Sequence, residues 1–168
     1  MRIFKEEQRF TQVWLIVMLA MSTLVFLGIL LKEYMTENSD LETLEFVLII
    51  SFYFACILPL FFFKLITRID EKGIYYRFFP FHRNLKLVSW TEITKAYLRK
   101  YDPISDYGGW GIKGGFSRKK GKAINISGDI GIQLELSSGK KLLIGTQNEA
   151  DAKKVLETYQ TKISNYEN

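Results

Sequence analysis

The chain has 168 residues, 48% of them hydrophobic and 24% charged, and a formal net charge of +5 at neutral pH. With one cysteine and one histidine, it can contain neither a disulfide framework nor a zinc site built on several cysteines. No Ser/His/Asp, Cys/His or paired-carboxylate constellation is present, so the sequence predicts no enzyme and no cofactor.

Two long apolar runs without a charge dominate the first third of the chain, at residues 13–31 and 46–63. As helices at about 1.5 Å per residue they would reach roughly 27–29 Å, close to the roughly 30 Å of bilayer hydrocarbon. We therefore predict a two-span membrane hairpin. A cleaved signal peptide is the alternative for the first run, but the run is longer than a usual signal core and no small-x-small cleavage site follows it.

The charges that flank the two runs predict the orientation of the hairpin. Lys32 is the one cation in the connection, whereas seven cations lie close to the outer ends: Arg2, Lys5, Arg9, Lys64, Arg68, Lys72 and Arg77. By the positive-inside rule, we predict that both termini lie in the cytoplasm. The protein would then be a multi-pass protein of the plasma membrane. We place the domain boundary at residue 63, with an N-terminal tail and hairpin over 1–63 and a cytoplasmic domain over 64–168.

The two regions differ in charge. Residues 1–63 contain 4 Lys/Arg and 7 Asp/Glu, and residues 64–168 contain 19 and 11. A net charge of +8 on the second region favours attraction to the anionic inner leaflet of the membrane. Nucleic acid would be attracted by the same charge, but no nucleic-acid motif accompanies it, and we do not expect a nucleic-acid partner.

Beyond residue 64 the pattern becomes that of short β-strands bounded by turn residues. We predict strands at 65–69, 73–79, 85–90, 93–100, 110–113, 122–127, 129–136 and 141–145. Turns at Ser127-Gly128-Asp129 and Ser137-Ser138-Gly139 predict that the last three strands form an antiparallel meander. Thr146 and Glu149 then form a predicted capping box, and a C-terminal amphipathic helix follows with apolar residues from Ala152 to Ile163.

These elements predict an α+β, mainly β domain: a curved antiparallel sheet or partly open barrel closed by one helix. The segment TRIDEKGIYYRF, the SWTEI step with Trp90, the strand ending in LIGT and the C-terminal helix together resemble bacterial pleckstrin-homology-like (PH-like) domains. Such domains occur in small membrane proteins with two N-terminal spans. The resemblance covers about residues 64–160. PH-like domains sometimes bind phosphoinositides through a basic first hairpin loop, but that loop is Asp70-Glu71-Lys72-Gly73 in this chain.

The strongest candidate binding segment is 113–122, a glycine-bounded basic stretch beside two aromatic residues. Cations next to exposed aromatic rings suit a bilayer surface or an acidic partner. The alternative is a solvated loop without a binding role. The candidate residues are Trp110, Lys113, Phe116, Arg118, Lys119, Lys120 and Lys122.

We expect the remaining motifs to have structural rather than functional roles. Gly109, Gly111 and Gly114 match G-x-G-x-x-G, but the flanking sequence lacks the strand and helix of a dinucleotide site, so we expect tight backbone bends. Asp102, Asp106 and Asp129 are predicted turn formers rather than metal ligands. His82 is predicted to be an exposed loop residue.

Two functions are compatible with these features. The first is a membrane-tethered binding or scaffolding module, whose cytoplasmic domain engages a protein partner or an anionic lipid surface. The second is an accessory or assembly subunit that packs its spans against another membrane protein. The partner would thus be the lipid bilayer or another membrane or cytoplasmic protein.

Overall fold

The computed structural model of the chain describes residues 3–36, 40–114 and 121–164. It divides into two compact units, one formed by Phe10–Phe62 and the other by the segments on either side of it. The first unit contains helix α1 (Val13–Tyr34) and helix α2 (Thr43–Ile57), which is followed by a 3₁₀ turn at Leu58–Phe62. Two apolar helices are therefore present where the sequence predicted them. Helix α1, and α2 together with its 3₁₀ turn, are long and apolar enough to cross a membrane.

Helices α1 and α2 pack against each other through a few aromatic and hydroxyl contacts. The Phe26 ring stacks on the Tyr53 ring at 4.0 Å, and the Tyr53 hydroxyl lies 2.9 Å from Thr23 Oγ1. Near the connection, Tyr34 stacks on Phe46 and its hydroxyl lies 3.1 Å from Thr43 Oγ1. Within α1 and α2 no residue is buried, so nearly all of the apolar surface of the hairpin faces outward.

The second unit is mostly β-structure, in two sheets. One sheet has four antiparallel strands in sequence order: β1 (Phe4–Arg9), β2 (Lys64–Asp70), β3 (Gly73–Phe79) and β4 (Lys86–Ser89). The other has five strands in the order β5–β8–β9–β7–β6: β5 (Ile93–Lys100), β6 (Gly111–Gly114), β7 (Lys122–Asn125), β8 (Ile130–Leu136) and β9 (Lys141–Gly145). A short helix α3 (Pro103–Tyr107) and the C-terminal helix α4 (Glu149–Ser164) complete the unit.

Strand β1 changes the predicted domain boundary. The sequence analysis assigned residues 1–63 to the hairpin region, but Phe4–Arg9 pairs along its whole length with β2, from Phe4 opposite Ile69 to Arg9 opposite Lys64. Side-chain bonds add to the pairing: Glu6 accepts hydrogen bonds from Thr146 Oγ1 and Gln147 N, both at 2.7 Å. The apolar hairpin is therefore an insertion between two neighbouring strands of the β unit.

The predicted meander of the last three strands is wrong. Strands β8 and β9 form the expected antiparallel hairpin, but β7 pairs in parallel with β9 and does not pair with β8. Strand β8 already has β5 on its other edge, so the free edge of β9 is where β7 can add. Consequently Ser127-Gly128-Asp129 lies in a crossover rather than in a hairpin turn. The strands form two sheets instead of the predicted single curved sheet.

The core is built from side chains of both sheets, and β2, β8 and β9 each contain runs of consecutive buried residues. Leu65, Ile69 and Ile74 of the first sheet are fully buried, as are Ile132 and Ile144 of the second. Helix α4 packs beside them through its buried apolar face, which consists of Ala152, Val155, Leu156, Tyr159 and Ile163. The predicted C-terminal helix is therefore present, with the face that the sequence pattern indicated.

The N-terminus of α4 differs from the predicted capping box. Thr146 Oγ1 donates to Glu6, so its hydroxyl is used to hold β1. Asn148 caps the helix instead: its Oδ1 accepts from Asp151 N at 3.3 Å, and its Nδ2 donates to Asp151 Oδ2 at 2.7 Å. Asn is a favoured residue for this position.

Candidate functional site

The end of β3 and the connection to β4, residues 79–85, carry an unusual set of exposed apolar side chains. Turns of this kind are usually polar, and grouped apolar residues on a surface indicate an interaction site. We call the group the β3–β4 patch; its members are Phe79, Phe81 and Leu85, and Phe81 is the most exposed at 67%. The sequence signal for this patch was FPF, two phenylalanines around a proline inside a predicted turn, and the sequence analysis did not single it out.

His82 fixes the conformation of the turn. Its backbone N–H donates to Phe78 O at 2.8 Å, and its Nδ1 accepts from Phe78 N at 3.2 Å. The imidazole is only 8% exposed and meets the Tyr76 ring edge-on at a centroid distance of 5.7 Å. The prediction of an exposed His82 was therefore wrong, because the side chain folds back onto β3 while Phe81 points outward.

Phe81 of the turn belongs to a cluster of three aromatic rings. Phe63, the residue just before β2, lies 6.0 Å from the Phe78 ring and 5.8 Å from the Phe81 ring. Phe78 and Phe81 are 6.1 Å apart. Since Phe78 is almost completely buried, the cluster connects the exposed Phe81 to the core.

Cations surround the patch. Lys64 lies opposite Phe79 in the β2–β3 register, and Lys86 lies opposite Tyr76. The sequence from Gly73 to Thr91 contains Arg77, Arg83 and Lys86 but no Asp or Glu. This end of the first sheet therefore combines exposed apolar groups with a local excess of positive charge.

Lys122 adds a cation from the second sheet. It shares a face of β7 with the fully buried Ile124, since side chains alternate along a strand. Burial lowers the pKa of Lys122, and the charge of Lys86 lowers it further. The pKa of His82 is also lowered, first by burial and then by the charges of Lys86 and Lys122. Lys122 therefore contributes positive charge to the surroundings of His82.

The basic segment predicted from sequence is only partly within the described residues. Lys113 of β6 lies opposite Ala123 of β7, so these two side chains project to the same face of the sheet. Lys122 is the neighbour of Ala123 in β7 and therefore projects to the other face. Trp110 is half-buried just before β6. The other four candidates, Phe116, Arg118, Lys119 and Lys120, lie outside the described residues. Lys122, whose charge lowers the pKa of His82, thus projects to the opposite face of the sheet from Lys113.

The glycine motif and the aspartates have structural roles. Gly111 and Gly114 bound the strand β6, and a Cβ on Gly114 would lie 2.3 Å from Gly121 O, so close backbone approach explains this glycine. Asp102 caps α3 by accepting from Ser105 N and Ile104 N, and these bonds lower the pKa of its carboxyl group. Asp129 pairs with Lys100 at 3.0 Å. Among the described residues, no group of three or more His, Cys, Asp or Glu side chains is placed to hold a metal ion.

The environment of His82 can be tested directly, because it is the one histidine of the chain and its ring protons give a single NMR titration curve. We expect the pKa of His82 to lie below the ordinary value of about 6.5 in the folded protein and to return to that value in urea. The unfolded chain then binds the proton more readily. The contribution of neutral His82 to the stability of the fold should be complete above about pH 6.5, and it should decline as the pH falls from there toward the pKa of His82 in the folded protein.

Two variants test the physical cause of this shift. Lys86→Gln should raise the pKa of His82, since it removes a nearby positive charge. Lys95→Gln removes an exposed cation on β5 and should leave the pKa unchanged. The protein should be prepared without a histidine tag. An equal response to the two substitutions would contradict the proximity of Lys86 to His82.

Comparison of the chain with protein-family models, with curated proteins and with solved structures found no significant match. The site is therefore interpreted from its own chemistry. Exposed aromatic side chains beside cations are typical of surfaces that contact a bilayer or an acidic partner.

Proposed function

We propose that this chain is a membrane-anchored binding module, in which a PH-like β unit is held on the cytoplasmic side of a bacterial plasma membrane. The observation that carries the proposal is the insertion of an outward-facing apolar hairpin, Phe10–Phe62, between strands β1 and β2. Such an insertion anchors the β unit at two neighbouring strands rather than at one flexible terminus.

The properties of the hairpin support membrane insertion. Helix α1 has 22 residues, and the second apolar segment, Thr43–Phe62, has 20. The first exceeds, and the second matches, the roughly 20 residues needed to cross about 30 Å of hydrocarbon. Thr23 Oγ1 donates to Leu19 O and lies 2.9 Å from the Tyr53 hydroxyl, so both hydroxyls have partners within the hairpin, as polar groups between membrane helices usually do.

The pairing of β1 with β2 supports a shared side for the two flanks of the hairpin. Arg9 and Lys64 lie opposite each other in one sheet, so residues before the first span and residues after the second must occupy the same compartment. A hairpin with two crossings meets this condition. The seven flanking cations against Lys32 in the connection favour the cytoplasm as that compartment.

The arrangement of the β unit supports the PH-like assignment. It has a four-stranded antiparallel sheet, a second sheet that contains the β8–β9 hairpin, and a C-terminal helix whose Tyr159 stacks on Trp90 at 5.4 Å. Strand β1 supplies the first strand of the four. The parallel β7 and its neighbour β6 are additions to that plan. A binding role fits a domain whose surface carries cations and exposed aromatic groups.

Cysteine labelling on intact cells tests the topology. In a Cys56→Ser background, Ser39→Cys lies in the connection between the spans, and Ser138→Cys lies in the exposed turn between β8 and β9. An impermeant maleimide should label position 39 but not position 138, because only the connection is expected outside. After the membrane is permeabilised, position 138 should react as well. Labelling of 138 but not 39 on intact cells would overturn the cytoplasmic placement of the β unit.

A further inference from the structure

We propose that the β3–β4 patch is a second membrane contact, in which Phe79 and Phe81 enter the headgroup region of the leaflet from which the hairpin emerges, and Arg83 and Lys86 face anionic lipid. The proposal rests on the proposed function, since it assumes that the hairpin spans the membrane. It adds a specific lipid-facing surface, which is different from the basic segment predicted from sequence.

The first step is the position of the patch along the chain and in the sheet. Phe63 is bonded directly to Phe62, the last residue of the second apolar segment. The Phe63 ring lies 5.8 Å from the Phe81 ring, and Lys64 lies opposite Phe79. Phe81 is therefore one ring contact away from the residue that follows the membrane segment.

The second step is exposure. Phe81 is 67% exposed although Phe78, three residues earlier, is buried. The turn is held in this arrangement by the two hydrogen bonds between Phe78 and His82. Because the bonds fix the backbone, Phe81 is presented outward without further ordering of the turn. Phe79 and Leu85, close to it in the chain on either side, are exposed as well.

The third step is charge, which favours lipid over an apolar protein surface as the occupant. No Asp or Glu occurs from Gly73 to Thr91, so no carboxylate of this segment would repel an anionic leaflet. Arg83 and Lys86 are exposed within it. Aromatic rings at headgroup depth with cations at their edge are the usual composition of interfacial membrane contacts.

The fourth step is the effect of the anchor. A short covalent connection to the spans converts lipid contact into an intramolecular event with a high effective concentration. A few aromatic and cationic side chains are then sufficient, although a single turn would not hold a free protein at a bilayer. The contact would fix one orientation of the β unit and leave the remaining surface free for a partner.

The test uses the full chain in nanodiscs that contain anionic and zwitterionic lipid. In a Cys56→Ser background, an environment-sensitive fluorophore is attached to one cysteine at Asn84→Cys, an exposed position in the turn that leaves Phe79 and Phe81 intact. Lipids spin-labelled near the headgroup should quench this probe more than lipids labelled near the chain end. Its emission should also shift to the blue, since an interfacial group lies roughly 5–10 Å into the boundary region.

Two further probe positions separate the possible failures. A probe at Leu24→Cys, in the middle of α1, should be quenched by the deep label, and a probe at Ser138→Cys should not be quenched. Quenching at position 24 but not at position 84 would overturn the second contact while leaving the membrane anchor intact. Absence of quenching at position 24 would instead refute the proposed function.

Substitutions then show which side chains make the contact. Phe79→Ser with Phe81→Ser should abolish the quenching and blue shift at position 84. Ile104→Ser removes an equally exposed apolar side chain from α3 and should leave both signals unchanged. The His82 titration checks that the turn still folds. Signals that persist in a correctly folded double variant would overturn the role of the two phenylalanines, and loss of signal in Ile104→Ser would do the same.

Discussion

A protein in which residues 10–63 are replaced by Asn-Gly should fold as a water-soluble β unit. Arg9 and Lys64 are the last facing pair of the β1–β2 ladder, so two residues of this type can join them as a hairpin turn. The replacement removes the exposed apolar helices and keeps every strand of both sheets. Circular dichroism and a cooperative urea transition would measure the folded state.

The matched control is the fragment of residues 64–168, which lacks β1. In this fragment the edge of β2 is uncovered, and Gln8 no longer donates to Gly145 O at 2.8 Å. Glu6 is also lost as the acceptor for Thr146 and Gln147. We expect the fragment to aggregate or to unfold without a cooperative transition. Equal stability of the two proteins would show that β1 contributes nothing to the fold.

Replacement of Trp90 by Ala should produce the largest loss of stability from a single substitution. The indole is 3% exposed, its Nε1 donates to Asp70 O at 2.9 Å, and its ring stacks on Tyr159 of α4. Truncation of a buried Trp to Ala costs about 3–5 kcal/mol, which is a large part of the stability of a small domain. Thermal unfolding followed by circular dichroism, in the full chain or in the joined protein, measures the change.

Two further variants identify the origin of that loss. Trp90→Phe keeps an aromatic ring against Tyr159 but removes the hydrogen bond to Asp70, so it should cost about 1 kcal/mol for the bond, in addition to some lost packing. Tyr97→Ala truncates an exposed aromatic residue on β5 and should have a small effect. If Trp90→Ala destabilised no more than Tyr97→Ala, the contacts of Trp90 with Tyr159 of α4 and with Asp70 would not support the fold.

The hairpin, eight of the nine strands and the C-terminal helix were predictable because their signals are local. Ile130, Ile132, Leu134 and Leu136 alternate with less apolar residues, and the strand there runs over Ile130–Leu136. The uncharged runs predicted helices because they are much longer than an ordinary strand, and a helix satisfies the backbone hydrogen bonds within the segment. The apolar spacing from Ala152 to Ile163 likewise identified the buried face of α4.

Strand β1 was missed because its sequence, FKEEQR, has almost no apolar alternation. Its partner β2 is more than fifty residues away, so the ladder that stabilises it has no local signature. For the same reason the parallel pairing of β7 with β9 was not predictable: it depends on which strand edges the other strands leave open. The short turns at either end of β8 suggested that it pairs with both of its sequence neighbours. It pairs with β9, but its other partner is β5.

The surroundings of individual side chains were decided by the tertiary structure alone. Thr146 fits a capping box by spacing, but Glu6, brought close by β1, takes its hydroxyl, and Asn148 caps α4. His82 lies in the turn-like segment FPFHR, yet its ring is buried against Tyr76, and its Nδ1 accepts a hydrogen bond from Phe78 N. Sequence periodicity determines which face of an element is apolar; which distant groups meet a given polar atom is set by how the sheets and helices pack.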